Sequence, residues 1–195
     1  MFELEKIKTN ILKLSHSIII SGLSYIYINN PNLIIKNLIF FISESYFLYD
    51  TIILLRAKKI DYPMINHHII TSCLLFSFYI GYYRMFFINI YYMGEMSNIS
   101  IYINYHLIKT ESSKDSILAS SIFQLLWYSY YRIYQMTNIL INNFQLFFQF
   151  PLNLLLIIYF MGWIWSFILY KQIYNERIYI MNKFKYSYDK YLRNV

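Results

Sequence analysis

Long apolar runs alternate with short polar breaks along the chain. The breaks are NNPN at 29–32, RAKKIDYP at 56–63, GYYR at 81–84, KTESSKDS at 109–116, and the stretch that reaches Pro151. The runs between them are close to the roughly 20 residues a helix needs to cross a hydrocarbon core. The pattern predicts an all-α, polytopic membrane protein with six transmembrane helices around a central cavity. They fall near 10–28, 33–55, 62–82, 85–107, 117–141 and 150–171. Asp61 followed by Pro63 marks one start, an acceptor cap with proline in the first turn. The first run has no small-residue cleavage site and stops at Asn29, Asn30 and Pro31, so it is expected to remain as a membrane helix.

The placement of charge gives this map an orientation. Lys6, Lys8, Lys13, Arg56, Lys58, Lys59, Lys109, Lys114, Lys171, Arg177, Lys183, Lys185, Lys190 and Arg193 fall on the side of the termini. The other side carries Lys36 and Arg84, and Arg132 lies within a run. Basic residues collect on the cytosolic side of membrane proteins, so both termini are expected in the cytosol. Residues 1–9 form a cytosolic N-terminus, 10–175 the membrane domain, and 176–195 a basic tail that sets topology or lies on anionic lipid.

Composition agrees with the hydropathy pattern. Of 195 residues, 58% are hydrophobic and 14% charged, against about 25% charged in a soluble protein. The net charge of +7 is scattered between apolar runs, which argues against nucleic acid as a partner. Cys73 is the single cysteine, so there is no internal disulfide and no cysteine-rich metal site. Four histidines are too few for the spaced boxes of a membrane di-iron enzyme, and no Gly-rich phosphate loop, GxSxG or HExxH motif is present. Neither a metal nor a bound cofactor is expected.

Ionisable groups inside membrane helices are costly and face a bundle interior or a wet cavity. Glu44, Asp50, His67, His68, Glu95 and Arg132 are the candidates. At about 1.5 Å rise per residue, Asp50, His67 and His68 share one layer roughly 8 Å below the cytosolic boundary. Glu95 and Arg132 lie deeper, about 18 and 22 Å from that side, so an ion pair between them is expected. Adjacent helical residues point about 100° apart, so one histidine lines a cavity while the other meets a neighbouring helix. His67 shares a face with Thr71, and His68 with Thr71 and Ser72. Glu44 is expected as a buried hydrogen-bonding group, and His16 and His106 as interfacial residues.

The order of these motifs resembles a known family. SESYFLYDTIILL (43–55), HHIIT (67–71), MGEMSNISIYIN (93–104), LLWYSYYRIY (125–134) and GWIWSFILYKQI (162–173) together resemble the TLC domain. That family includes ceramide synthases, translocation-associated membrane proteins and membrane-lipid regulators. In ceramide synthases an HHxxT opening is followed by HDxxD, and the histidines serve acyl transfer from acyl-CoA to a sphingoid amine. The resemblance implies His67 and His68 as catalytic residues with Asp50 beside them. Thr71, Glu95, Ser97, Asn98 and Arg132 would bind substrate or support the site. Where the signature has HDxxD, this chain reads GEMSN at 94–98, so Gly94 replaces the histidine and Asn98 the second aspartate. The implied partners are membrane lipids, with acyl-CoA as co-substrate, in the endoplasmic reticulum or a related membrane. A non-enzymatic lipid regulator or cargo receptor is the alternative.

Overall fold

The computed structural model describes residues 2–56 and 61–192, with side chains for 7–56 and 61–175. Lys58 and Lys59, and the side chains of Lys6 and of the basic tail, lie outside the described residues. The helices are α1 (Phe2–Asn29), α2 (Leu33–Arg56), α3 (Tyr62–Ile80), α4 (Arg84–Lys109), α5 (Lys114–Ser129), α6 (Met136–Asn142) and α7 (Leu154–Leu192). A π-helical segment, Tyr130–Gln135, joins α5 to α6 in one rod, and a 3-10 helix, Phe144–Phe148, leads towards α7. The described chain thus folds as six helical rods with no strand among them. Three of them contain segments long and apolar enough to cross a bilayer: Ile7–Asn29, Leu33–Arg56 and Leu154–Asn175.

Two boundaries differ from the hydropathy reading. The last helix begins at Leu154, because Pro151 and the turn at 150–153 occupy the start of its apolar run. It then continues to Leu192, well past the expected end at 171. The starts and stops follow local chemistry. The Asp61 side chain accepts a hydrogen bond from the Met64 amide at 3.2 Å, with Pro63 in the first turn of α3. Ser113 caps α5 in the same way, accepting from the Ser116 amide. Gly81 ends α3 at φ +106°, and the amides of Gly81 and Tyr82 fold back onto the carbonyls of Ser77 and Phe78.

The rods form a closed ring in the order α1, α2, α3, α7, α5, α4, with α4 returning to α1 and also touching α3. The α1–α4 seam is the most extensive. On α1, Asn10, Ser17, Ile20, Ser21, Ser24 and Tyr27 are buried, a spacing near 3.5 residues that keeps one face on its neighbour. Of these, Ser17 meets Glu95 of α4, and the other serines keep the α1 side of the seam small. Small residues let membrane helices approach closely where lipid supplies no hydrophobic drive.

The fold is apolar outside and keeps most of its membrane-depth ionisable groups inside. Leu33, Ile34, Leu48, Leu126, Phe148 and Phe167 are exposed, whereas Asp50, His68, Glu95 and Arg132 are buried. In water this arrangement would expose a large apolar surface. In a bilayer it is the expected one, since lipid solvates the outer face and polar groups satisfy one another within. One end of the ring is packed solid by Ile20, Tyr27, Ile39, Phe78, Phe87 and Ile158. The polar groups gather towards the other end, where α1 and α3 begin and α2 and α4 finish.

Candidate functional site

A cavity of about 290 Å³ opens into that polar end, with walls from α1, α2, α3, α4, α5 and α7. Phe47, Met64, Ile101, Trp165, Ile168 and Leu169 supply its apolar lining. Lys13, Asp50, His67, His68, Glu95 and Asn98 supply its chemistry.

His67 and His68 both reach the cavity, in different ways. Asp50 stands 3.5 Å from His68 Nε2, and Thr51 Oγ1 lies 3.1 Å from His68 Nδ1. The tautomer with its proton on Nε2 fits both contacts, turning that proton towards Asp50 and leaving Nδ1 to accept from the Thr51 hydroxyl. His68 is therefore tied to α2 at both nitrogens. His67 turns the other way, with its ring edge-on to Trp165 at 5.9 Å between centroids. Its Nδ1 is buried without a hydrogen-bond partner. The Thr71 hydroxyl donates to the His67 carbonyl at 2.8 Å and leaves both rings free of it. The doublet at the start of α3 thus provides one fixed imidazole and one that faces the cavity.

The deeper charges are arranged differently from the expected pair. Glu95 does not bond Arg132. Its Oε2 accepts from Ser17 Oγ at 2.7 Å and lies 3.6 Å from His16 Nδ1. Arg132 Nε donates to Ser97 Oγ at 2.8 Å, and Nη2 lies 3.4 Å from both the Gly94 carbonyl and Asn98 Oδ1. The reason is angular. Gly94, Ser97 and Asn98 sit at i, i+3 and i+4 on one face of α4, towards the π segment that carries Arg132. Glu95 is turned about 100° away from Gly94, towards α1. Depth was legible, but the partner was set by direction. A void of about 30 Å³ lies between His67, Thr71, Glu95 and Arg132, so the two charges share a small space without contact.

His16 is a second correction. It is buried rather than interfacial, stacked on Tyr46 at 3.8 Å and held by Glu95. His106 is half-buried near the end of α4. Glu44 is half-buried in a separate apolar groove between α2 and α3, and its Oε1 has no partner.

Reading the sequence for site residues missed Lys13, His16, Tyr46, Tyr102, Trp165 and Gln172. Lys13 was detectable by the same arithmetic. It lies six residues inside the span that starts at Ile7, as His68 lies six inside α3 and Asp50 six from the end of α2. That is about 9 Å in each case. Lys13 Nζ meets Asp50 Oδ1 at 2.8 Å and Oδ2 at 2.9 Å. Among the described residues no three histidine, cysteine or acidic side chains converge to hold a metal ion.

No curated protein and no solved structure matches the chain. A family model described as the TLC domain matches residues 6–180, a stretch that contains every residue lining the cavity. The histidine doublet, the six-rod ring and that match agree on one assignment: the chain belongs to the TLC-domain family.

Proposed function

We propose that this membrane protein transfers a fatty acyl group from acyl-CoA to the amine or hydroxyl of a lipid acceptor. The observation that carries the reading is His67, an imidazole with an unpartnered nitrogen on a cavity that is polar at one end and apolar along its walls. A neutral imidazole works as a general base near pH 7. In this scheme His67 takes the proton of the acceptor as its nitrogen or oxygen attacks the thioester carbonyl. The carbon–sulfur bond then breaks, and the proton passes from His67 to the departing thiolate. Asn98 replaces a carboxylate of the family signature, so its part is that of a donor. Arg132 engages its Oδ1, which leaves the Nδ2 hydrogens to stabilise the oxyanion. His68 and Asp50 hold the wall behind. On this reading the mouth faces the cytosol, the source of acyl-CoA, and the membrane is the endoplasmic reticulum or one related to it.

One observation favours a second reading. Glu95, the surviving acid of the GEMSN segment, is already occupied by His16 and Ser17. A protein that binds or senses lipid in this cavity without turning it over would have the same contacts.

Purified protein incubated with acyl-CoA and a panel of long-chain amines and lipid alcohols, read by mass spectrometry, separates the two. Acyl transfer should appear with the wild type and fall at least about 100-fold in His67→Ala. Thermal stability in detergent should stay unchanged, because His67 makes no side-chain hydrogen bond among the described residues. Wild-type protein that retains a co-purified lipid but yields no acylated product supports the binding reading and removes the enzymatic one.

A further inference from the structure

The contact between Lys13 and Asp50 contains a chemistry that acyl transfer does not use. Among the described residues lining the cavity, Lys13 is the one lysine or arginine. Its side chain is 23% exposed, whereas that of Asp50 is 2% exposed. A partly exposed cation on a flexible four-carbon stem therefore rests on a buried acid. Both carboxylate oxygens take part, which leaves the cavity mouth without a free positive charge. Asp50 has a second neighbour, His68 Nε2 at 3.5 Å, while Lys13 has no other acid within ion-pair distance among the described residues. Removal of the ammonium would leave Asp50 with a hydrogen-bond donor. Removal of the carboxylate would leave the ammonium available to whatever enters.

We propose that Lys13 is an anion-operated latch. The phosphate of an incoming amphiphile draws the ammonium from Asp50, which passes to His68 as its remaining partner. A phosphate matches the exchange well, with more charge than a carboxylate and several strong acceptor oxygens. Entry of the ligand and settling of the Asp50–His68 wall then occur in one step. The phosphate can come from two sources, the nucleotide of an acyl thioester or the headgroup of an anionic phospholipid. The inference rests on the proposed function only in sending a phosphate-bearing amphiphile through this mouth. Binding is measured without acceptor and without turnover, so an inactive His67 leaves the test intact.

The test uses full-length protein in maltoside micelles, which contain no phosphate. Palmitoyl-CoA is titrated by calorimetry, and phosphatidic acid is titrated in parallel. The latch predicts changes of opposite sign. Lys13→Met should weaken binding about tenfold, the loss of one charge-assisted contact. Asp50→Asn should tighten it about threefold or more, because the ammonium is released in advance. The double variant should behave like Lys13→Met. An effect confined to palmitoyl-CoA identifies the nucleotide as the source, and one confined to phosphatidic acid identifies the lipid headgroup. Weakening by both single variants would mean a purely structural pair and overturn the proposal, as would binding of neither ligand. If Asp50→Asn does not fold, Lys13→Arg decides. It should stay within about threefold of wild type while Lys13→Met loses tenfold. Equal affinity for Lys13→Met and wild type overturns the latch.

Discussion

The two ends of the helical ring are made from the same six rods and have opposite interiors. At one end Phe78, Phe87, Ile39 and Ile158 close the bundle by packing. At the other, Lys13, Asp50, His68 and Glu95 hold it by hydrogen bonds and charge around an open cavity. Apolar packing in a membrane protein gains little from lipid exclusion, since lipid is as apolar as leucine. The sealed end therefore relies on close fit. The open end relies on polar groups that have no better partner in a bilayer, and these same groups can exchange their contacts for a ligand. Rigidity is placed at one end and chemistry at the other.

The comparison breaks most completely if the ends face the wrong compartments. Among the described residues, Lys8, Lys13, Arg56, Lys109, Lys114 and Lys171 lie towards the open end, against Lys36 and Arg84 at the other and the buried Arg132 between. Glycosylation-acceptor tags fused to either terminus should remain unmodified, an all-or-none result. Modification of one tag alone would mean an odd number of crossings and undo the alternation of the six rods.

A second test concerns how the open end is held. Glu95→Gln weakens its contacts with His16 and Ser17, and Arg132→Gln loses its contacts with Ser97, Gly94 and Asn98. Each change should cost about 2–4 kcal/mol, since each removes a charged group bonded inside low dielectric. Thermal unfolding of the double variants separates the networks. Glu95→Gln with His16→Gln should show a larger coupling energy than Glu95→Gln with Arg132→Gln. The reverse ranking would restore the ion pair that depth alone suggested.

That pair marks the limit of what the sequence could convey. Hydropathy and breaks located all six rods, and Asp61 with Pro63 located the start of α3, because these depend on neighbours in the chain. Rise per residue brought Asp50 and His68 to one level, and they meet. It also brought Glu95 level with Arg132, and they do not. Height follows from counting, whereas azimuth depends on how each helix is rotated against its neighbours. The π segment at 130–135 carries Arg132 and has no signature in the apolar pattern. His16 is expected at the membrane interface because it stands near a helix start. Its stacking on Tyr46 of α2 and its place beside Glu95 of α4 bury it instead. Lys13 was assigned to topology because lysines near helix ends usually serve that purpose, and its acid lies on another helix. The candidate site was thus legible in its residue types and depth, and illegible in its pairings.

The smallest expected effect sharpens the contrast from the sealed end. Gly81 ends α3 at φ +106°, where a side chain is strained, and a Cβ there would stand 2.8 Å from Arg84 Nη2. The arginine is the far end of a flexible side chain and can move aside. The backbone cannot, because the amides of Gly81 and Tyr82 are fixed on the carbonyls of Ser77 and Phe78. Gly81→Ala should therefore cost about 1 kcal/mol, the usual scale for a residue forced into left-handed backbone. Asp50 and His68 lie far along α2 and α3 from this turn, so palmitoyl-CoA affinity should stay at its wild-type value while the unfolding temperature falls. A matching loss of affinity would show that the two ends are coupled, and that the packed end helps to set the geometry of the mouth.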